Sequence, residues 1–521
     1  MSKKNEEKKS RTQYAAINSI TSSIITVLKI IVQFISRTFF VYLLGKEYLG
    51  LNGLFTSILT MLSLADLGIG NAMVYSMYKP LANENFSEVR TLINLMKKIY
   101  FFIGLGMAGM GIFVMPFIQT FIHGKQPDVN IYIVYSLFLL NTVSSYFFAY
   151  NRSLLIADQK NYQVVINDFV FATINSIVQI IILLVFKNFY FYLISTIFFT
   201  IIGNIFLSQK VSRNYSFLKE YKSVEITQKL KVQIKELTIG NLLGKIGTMF
   251  VTGTDNIFIS GFVSLAAVGT YSNYLLVIAS IQQVTLQLMY SVTGSIGNLI
   301  ATESKGKAYK TFIRHNFINF TVLYFCASLM ATLLNPFIFL WVGKEYIFSG
   351  VTVALIILNF LLRGYRLSSW VFIDALGLSW ILRKKPLWES FINVIVSLFF
   401  LIVFKLGING VLLGTSISSI LVVNWWEPYA VIKHGMNKDF KDYLLITGKL
   451  FSVLALNFFI LNIIKEILGG YTVIGFILLL GITLIISFAC YYVFFNRCEE
   501  YNYVNILFKR GIGLIIRKKN R

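Results

Sequence analysis

The sequence predicts an all-α protein that crosses a membrane about fourteen times. Three observations carry this. Of 521 residues, 56% are hydrophobic and 13% charged, about half the ~25% of soluble domains, and the mean hydropathy is +0.69. The apolar residues fall in runs long enough to span a bilayer as helices, which takes roughly 20 residues. The connections between runs alternate between basic and nearly uncharged.

The runs lie near 14–44, 49–77, 92–122, 130–151, 163–186, 189–209, 236–261, 265–296, 311–341, 350–377, 388–404, 409–432, 443–464 and 471–496. The first follows a basic start and carries Lys29 and Arg37 without a small-residue cleavage site, so a retained first helix is expected. The second carries one carboxylate, Asp66, with Gly68 and Gly70 beside it. A charge at that depth costs roughly 2.5–3.5 kcal/mol, so it is expected to face protein or a wet cavity.

Charge placement sets the topology. About 35 of the 47 Lys and Arg fall at the N-terminus, in alternate connections and in the tail, and about 6 in the other connections. The basic side is expected to be cytoplasmic, with both termini there. The formal charge of +24 then reflects topology and anionic headgroups, and no nucleic-acid partner is needed. The tail, Tyr503 to Arg521, alternates apolar and basic residues and is expected to lie along the membrane face.

The halves echo each other. Pro116-Phe117-Ile118 recurs as Pro336-Phe337-Ile338, Gly124-Lys125 as Gly343-Lys344, Ile174-Asn175 as Ile392-Asn393, and Val185-Phe186-Lys187 as Val403-Phe404-Lys405, all about 218–220 residues apart. That offset holds about six helices, so the repeats run the same way through the membrane. Two parallel six-helix lobes are expected, 1–212 and 236–437, with a linker at 213–235, two further helices at 438–496 and a basic tail at 497–521.

The phrases LGKEYLGLNGLF, LSLADLGIGNAMVYSMYKPLA and TDNIFISGFVSLAAVGTYSNY resemble bacterial polysaccharide-unit flippases. These are the polysaccharide-transport branch of the multidrug/oligosaccharidyl-lipid/polysaccharide exporter superfamily. The resemblance implies a multi-pass protein of the bacterial cell membrane that is not an enzyme. It would move an undecaprenyl-diphosphate-linked repeat unit to the outer leaflet for capsule or other surface polysaccharide. It would do so by alternating access between its lobes. Membrane lipid, the lipid-linked glycan, and a polymerase and glycosyltransferases of the same pathway are the implied partners, with a monomer expected. No cofactor is implied beyond H⁺ or Na⁺ coupling.

Few ionisable groups lie deep in the runs: Lys29, Arg37, Asp66, Lys245, Asp255, Arg363 and Arg366, with Asp168, Asp374 and Glu389 nearer the ends. Arg363 and Arg366 are three apart, a spacing that shares a helix face. Two guanidiniums on one face suit a diphosphate, and Lys29 and Arg37 would add to that field. The alternative is neutralisation of Asp66 or Asp255 in structural pairs. Those two aspartates are candidates for ion coupling, since burial and nearby cations tune a carboxylate. Asn71, Tyr75, Tyr271, Asn273, Gln283 and Gln287 are candidate sugar contacts or, individually, helix–helix hydrogen bonders. Gly104, Gly106 and Gly109 fit a nucleotide fingerprint but sit inside an apolar run, where small-residue packing is expected instead.

Rival readings stay open. A multidrug exporter of the same superfamily would need a cavity richer in carboxylates. A peptidoglycan lipid-precursor flippase is hard to separate on sequence. A membrane polysaccharide polymerase or glycosyltransferase would carry a large outer loop or a nucleotide-sugar site, and neither is seen.

Overall fold

The computed structural model describes residues 11–63, 69–225 and 227–506, and of residues 11, 12, 15, 229, 233, 237 and 239–252 the backbone alone. Asp66, the Lys245 side chain and most of the basic tail therefore lie outside the described residues. Those described are helical with no strand, and they divide into two compact units, Met1–Gly269 and Thr270–Arg521.

The first unit holds α1 (Arg11–Leu44), α2 (Lys46–Leu62), α3 (Ile69–Ala82), α4 (Phe86–Val114), α5 (Ile131–Tyr146), α6 (Ala149–Ala157), α7 (Asn161–Phe186), α8 (Phe189–Asn214), the short α9 (Phe217–Glu220) and α10 (Gln228–Phe262). It also takes in the start of α11 (Leu265–Tyr290). Helix α1 packs on α7. The Asn18 amide fastens the helix–helix connection there, donating to the Gln159 carbonyl at 2.8 Å and accepting from the Tyr162 backbone at 2.8 Å. Two of the stretches that resemble the flippases lie against each other. A Cβ on Gly50 would run into the Leu265 backbone, one on Gly269 into that of Lys46, and one on Gly53 into the Val268 side chain. On the neighbouring helix α10, the Asn256 amide donates to Ser57 Oγ of α2 at 2.9 Å. Small residues let helices approach this closely, and an amide–hydroxyl bond ties the neighbouring helix to α2.

The second unit holds the rest of α11, α12 (Thr293–Thr302), α13 (Lys305–Val342), α14 (Gly350–Tyr365), α15 (Leu367–Leu376), α16 (Lys385–Ile402), α17 (Ile408–Ser418), α18 (Asn424–Tyr429), α19 (Lys441–Leu468) and α20 (Val473–Phe495). Helix α18 sits between two π-helical stretches, 419–423 and 430–435. Helices α19 and α20 are stitched to α13 by buried polar groups. Tyr324 donates to the Ser487 carbonyl at 3.1 Å, Thr483 to Thr332 at 3.0 Å, and the Asn457 amide to Ser328 at 2.8 Å. Each such bond is worth about 0.6 kcal/mol within a membrane, and together they fix the rotation of the two last helices.

Eleven helical segments among the described residues are long and apolar enough to cross a membrane, or twelve if the bent pair α5–α6 is one span. The expected fourteen are not all recovered on that measure. The second expected run falls on α2 and α3, which flank residues outside the description, and α10 is not among the eleven. Of the three glycines expected to pack, only Gly104 has a close neighbour, Phe147; Gly106 and Gly109 face open space.

Some helix ends recur at the same offset as the sequence matches. Asn85 caps α4 as Ser304 caps α13, and Asn130 caps α5 as Ser349 caps α14. Gly124 and Gly343, Gln159 and Gly377, and Lys187 and Lys405 all have positive φ. Every pair is separated by about 218–219 residues, which places the helix ends of the two units in one register.

Candidate functional site

Charge inside a membrane is the first place to look for function. Among the described residues, the most buried charged cluster forms where α14 breaks into α15. Arg366 ends one helix and begins the next. Its Nε donates to Glu427 Oε2 at 2.9 Å, its Nη2 to Glu427 Oε1 at 2.8 Å, and its Nη1 to Glu389 Oε1 at 3.2 Å. Lys385 Nζ closes on the same Glu427 oxygen. Trp370 donates its indole N–H to Glu427 at 3.1 Å and lies under the Arg366 guanidinium at 5.0 Å. Two cations and two carboxylates leave the group neutral. Helices α14–α15, α16 and α18 are thereby tied together.

The first unit has a counterpart. Arg152 on α6 donates to Asp168 on α7 at 2.7 Å and to Asn204 on α8 at 2.9 Å. This clamp lines a cleft of about 270 Å³ together with Asn175, Thr196 and Thr200. Nearby, Lys160 pairs with Asp158 at 2.7 Å, and Tyr215 donates to Asp158 at 2.6 Å. Burial first, and then the Asp158 charge, push the Tyr215 hydroxyl well above its usual range.

The residues singled out from sequence are distributed over both units. In the first, Lys29 and Arg37 are half-buried on α1, which carries no carboxylate from Arg11 to Leu44. Asn71 and Tyr75 share the exposed face of α3, opposite Ala72, Met73, Ser76 and Met77. Asp255 is half-buried on α10. In the second, Tyr271 and Asn273 are buried on α11, Gln287 is half-buried and Gln283 exposed. Neither amide atom of Asn273 has a hydrogen-bond partner among the described residues.

One expectation is corrected. Arg363 and Arg366 do not share a face: Arg363 is exposed, whereas Arg366 is 9% exposed. The helix breaks at Arg366, so spacing no longer sets direction. The donors that a diphosphate would need on Arg366 are turned to Glu427 and Glu389, and neither is Asp66 or Asp255, the partners considered from sequence. Glu427 went unnoticed within the aromatic stretch Asn424-Trp-Trp-Glu-Pro-Tyr429, where a lone carboxylate in an apolar run was the available signal.

No protein-family model and no curated protein matches the sequence. Solved structures do match. The chain is similar to the lipid II flippase MurJ in an inward closed conformation, at 19% identity and a TM-score of 0.63, over 94% of this chain and 100% of that one. It is similar to an inward-facing multidrug resistance MATE family transporter of the MOP superfamily, at 12% identity and a TM-score of 0.60, over 79% and 98%. A mutant of the Vibrio cholerae MATE transporter VcmN matches at 13% identity and a TM-score of 0.52, over 81% and 99%. At these identities the likeness is one of fold.

Proposed function

We propose that this chain is a flippase that carries an undecaprenyl-diphosphate-linked oligosaccharide from the cytoplasmic to the outer leaflet for surface polysaccharide assembly. The observation that carries the reading is α1. In a fold shared with a lipid flippase, this helix sets two cations in an apolar run without a single carboxylate. Such a helix favours a diphosphate and disfavours a cationic drug. Within the first unit, Lys29 and Arg37 on α1 are the groups that would meet the diphosphate; within the second, Arg363 is exposed and is tested separately, while Arg366 stays in its ion cluster. Asn71 and Tyr75 on the exposed face of α3 in the first unit are candidate sugar contacts, and Gln283 and Gln287 on α11 are the candidates of the second unit taken by itself. Asp255 and Asp66, each within one of the stretches that resemble the flippases, are the groups we would test for H⁺ or Na⁺ coupling.

The test is extraction of lipid-linked glycans from host cells with and without the gene. Accumulation of an undecaprenyl-linked repeat unit, with loss of surface polysaccharide, supports the reading, and mass spectrometry then names the sugar. Accumulation of the peptidoglycan lipid precursor would assign the chain to that precursor instead, as the MurJ likeness allows. Unchanged lipid intermediates with new sensitivity to cationic dyes would overturn both.

A further inference from the structure

A groove of about 1080 Å³ opens on the first unit between α4 and the segment that follows α9. One wall carries Lys97 and Lys98, and Lys231 from the start of α10 reaches the same space. One helical turn further along α4 the character changes to Phe101 and Phe102, with Phe147 beside them. Phe101 is 47% and Phe102 69% exposed. The opposite wall is fastened in place. Val224 donates its backbone N–H to Thr91 Oγ1 at 2.8 Å, the same hydroxyl reaches the Val224 carbonyl at 3.2 Å, and the Asn94 amide donates to Ser223 at 2.7 Å. The groove is therefore a built feature of the unit, held open by a strapped segment.

We infer that this groove binds the phosphate-bearing head of a membrane lipid. Three ammonium groups in one concave space form a point-charge site for phosphate oxygens. The step from lysine to phenylalanine within a turn matches the step from headgroup to chain at a membrane interface. A free phosphate would use only the lysines; a lipid phosphate would use both ends. Among the described lining residues Glu225 is the one carboxylate, set against Lys97, Lys98 and Lys231. The site is separate from the cations of α1, and it stands whichever substrate the protein moves.

The experiment is native mass spectrometry of the purified full-length protein with three probes: undecaprenyl phosphate, dioleoylphosphatidylglycerol and inorganic phosphate. Dioleoylphosphatidylcholine, whose phosphate is balanced by its own quaternary ammonium, serves as the zwitterionic control. Each lysine near an anionic headgroup contributes about a fivefold gain, so K97Q/K98Q/K231Q should retain either anionic lipid ten- to hundredfold less well. E225Q should shift retention the other way, by a few-fold. F101A/F102A should weaken both lipids and leave inorganic phosphate unchanged. Preference for undecaprenyl phosphate over phosphatidylglycerol would identify a pathway lipid, and the reverse an ordinary anionic phospholipid. Equal retention by the triple variant, or inorganic phosphate bound as well as the lipids, overturns the inference. Because the readout is binding, its failure leaves the transport reading untouched.

Discussion

Arg152 in the first unit and Arg366 in the second each join three successive membrane helices through a carboxylate on the next helix and a polar acceptor on the one after. They differ in depth. Against the repeat register, Arg366 sits about one helical turn earlier than the counterpart of Arg152, and Glu389 about one turn later than that of Asp168. Neighbouring helices run in opposite directions, so along the sequence both shifts lead away from the basic connections, by about one turn. Exposure follows. Arg152 and Asp168 are 33% and 30% exposed, whereas Glu389 and Glu427 are 7% and 0%. The shallower clamp is completed by an amide, Asn204. The deeper one is completed by a second carboxylate and a lysine, which bring it to neutrality. Depth, rather than the helix arrangement, dictates how fully the charges must be balanced.

The sharpest way to break this comparison is Glu427→Gln. It leaves Arg366 and Lys385 facing a single carboxylate in a buried site, a loss of about 3–5 kcal/mol. The fraction of protein surviving heating in detergent, read by size exclusion, should fall steeply. Arg366→Met combined with Glu427→Leu should cost less than the sum of the single changes, because Lys385 and Glu389 remain to neutralise each other. The matching change in the first unit, Asp168→Asn, should cost about 1 kcal/mol, since a pair one-third exposed is solvent-screened. If the two single changes cost the same, depth is not the variable that separates the clamps.

These two clamps also mark the limit of what the sequence could tell. Helix positions were legible because a run that spans a bilayer must be apolar over its whole length, and most expected runs coincide with observed helices. The duplication was legible at Lys187 and Lys405, which the fold holds at positive φ in both halves. The clamp partners were not legible. Glu427 lies 61 residues from Arg366, and the one-turn shifts take both arginines and their acids out of the repeat register that would have aligned them. The face of Arg363 was misjudged for a local reason: three-residue spacing holds only along an unbroken helix, and the chain breaks at Arg366. The polar faces of α3 and α11 were visible as residue types, but their exposure depends on neighbours that periodicity does not name.

Smaller effects sharpen the comparison at the membrane edge. Tyr215→Phe removes one hydrogen bond to Asp158, a loss of about 1 kcal/mol. Because burial and Asp158 push the hydroxyl upward, the residue stays protonated between about pH 5 and 9. The difference between wild type and variant should therefore be flat across that range in thermal melts. A slope across that range would mean that the Tyr215 hydroxyl is not held protonated there.

The smallest effect belongs to Glu499, an exposed carboxylate with two basic partners. Glu499 accepts from Lys310 at 2.6 Å and from Arg314 at 2.7 Å. Those two hydrogen bonds hold its carboxyl below the usual carboxylate range. A lowered folded-state value means that the contribution is present above the ordinary range and is lost as pH falls through the lowered one. Glu499→Gln should thus differ slightly from wild type near neutrality and not at all at acid pH. Added salt should erase even the neutral-pH difference. The same salt should leave Glu427→Gln as damaging as before, because ions do not reach a site with no exposure. A salt-sensitive Glu427→Gln would mean that water enters the deep clamp, and the contrast between the two units would then be one of access rather than of charge balance.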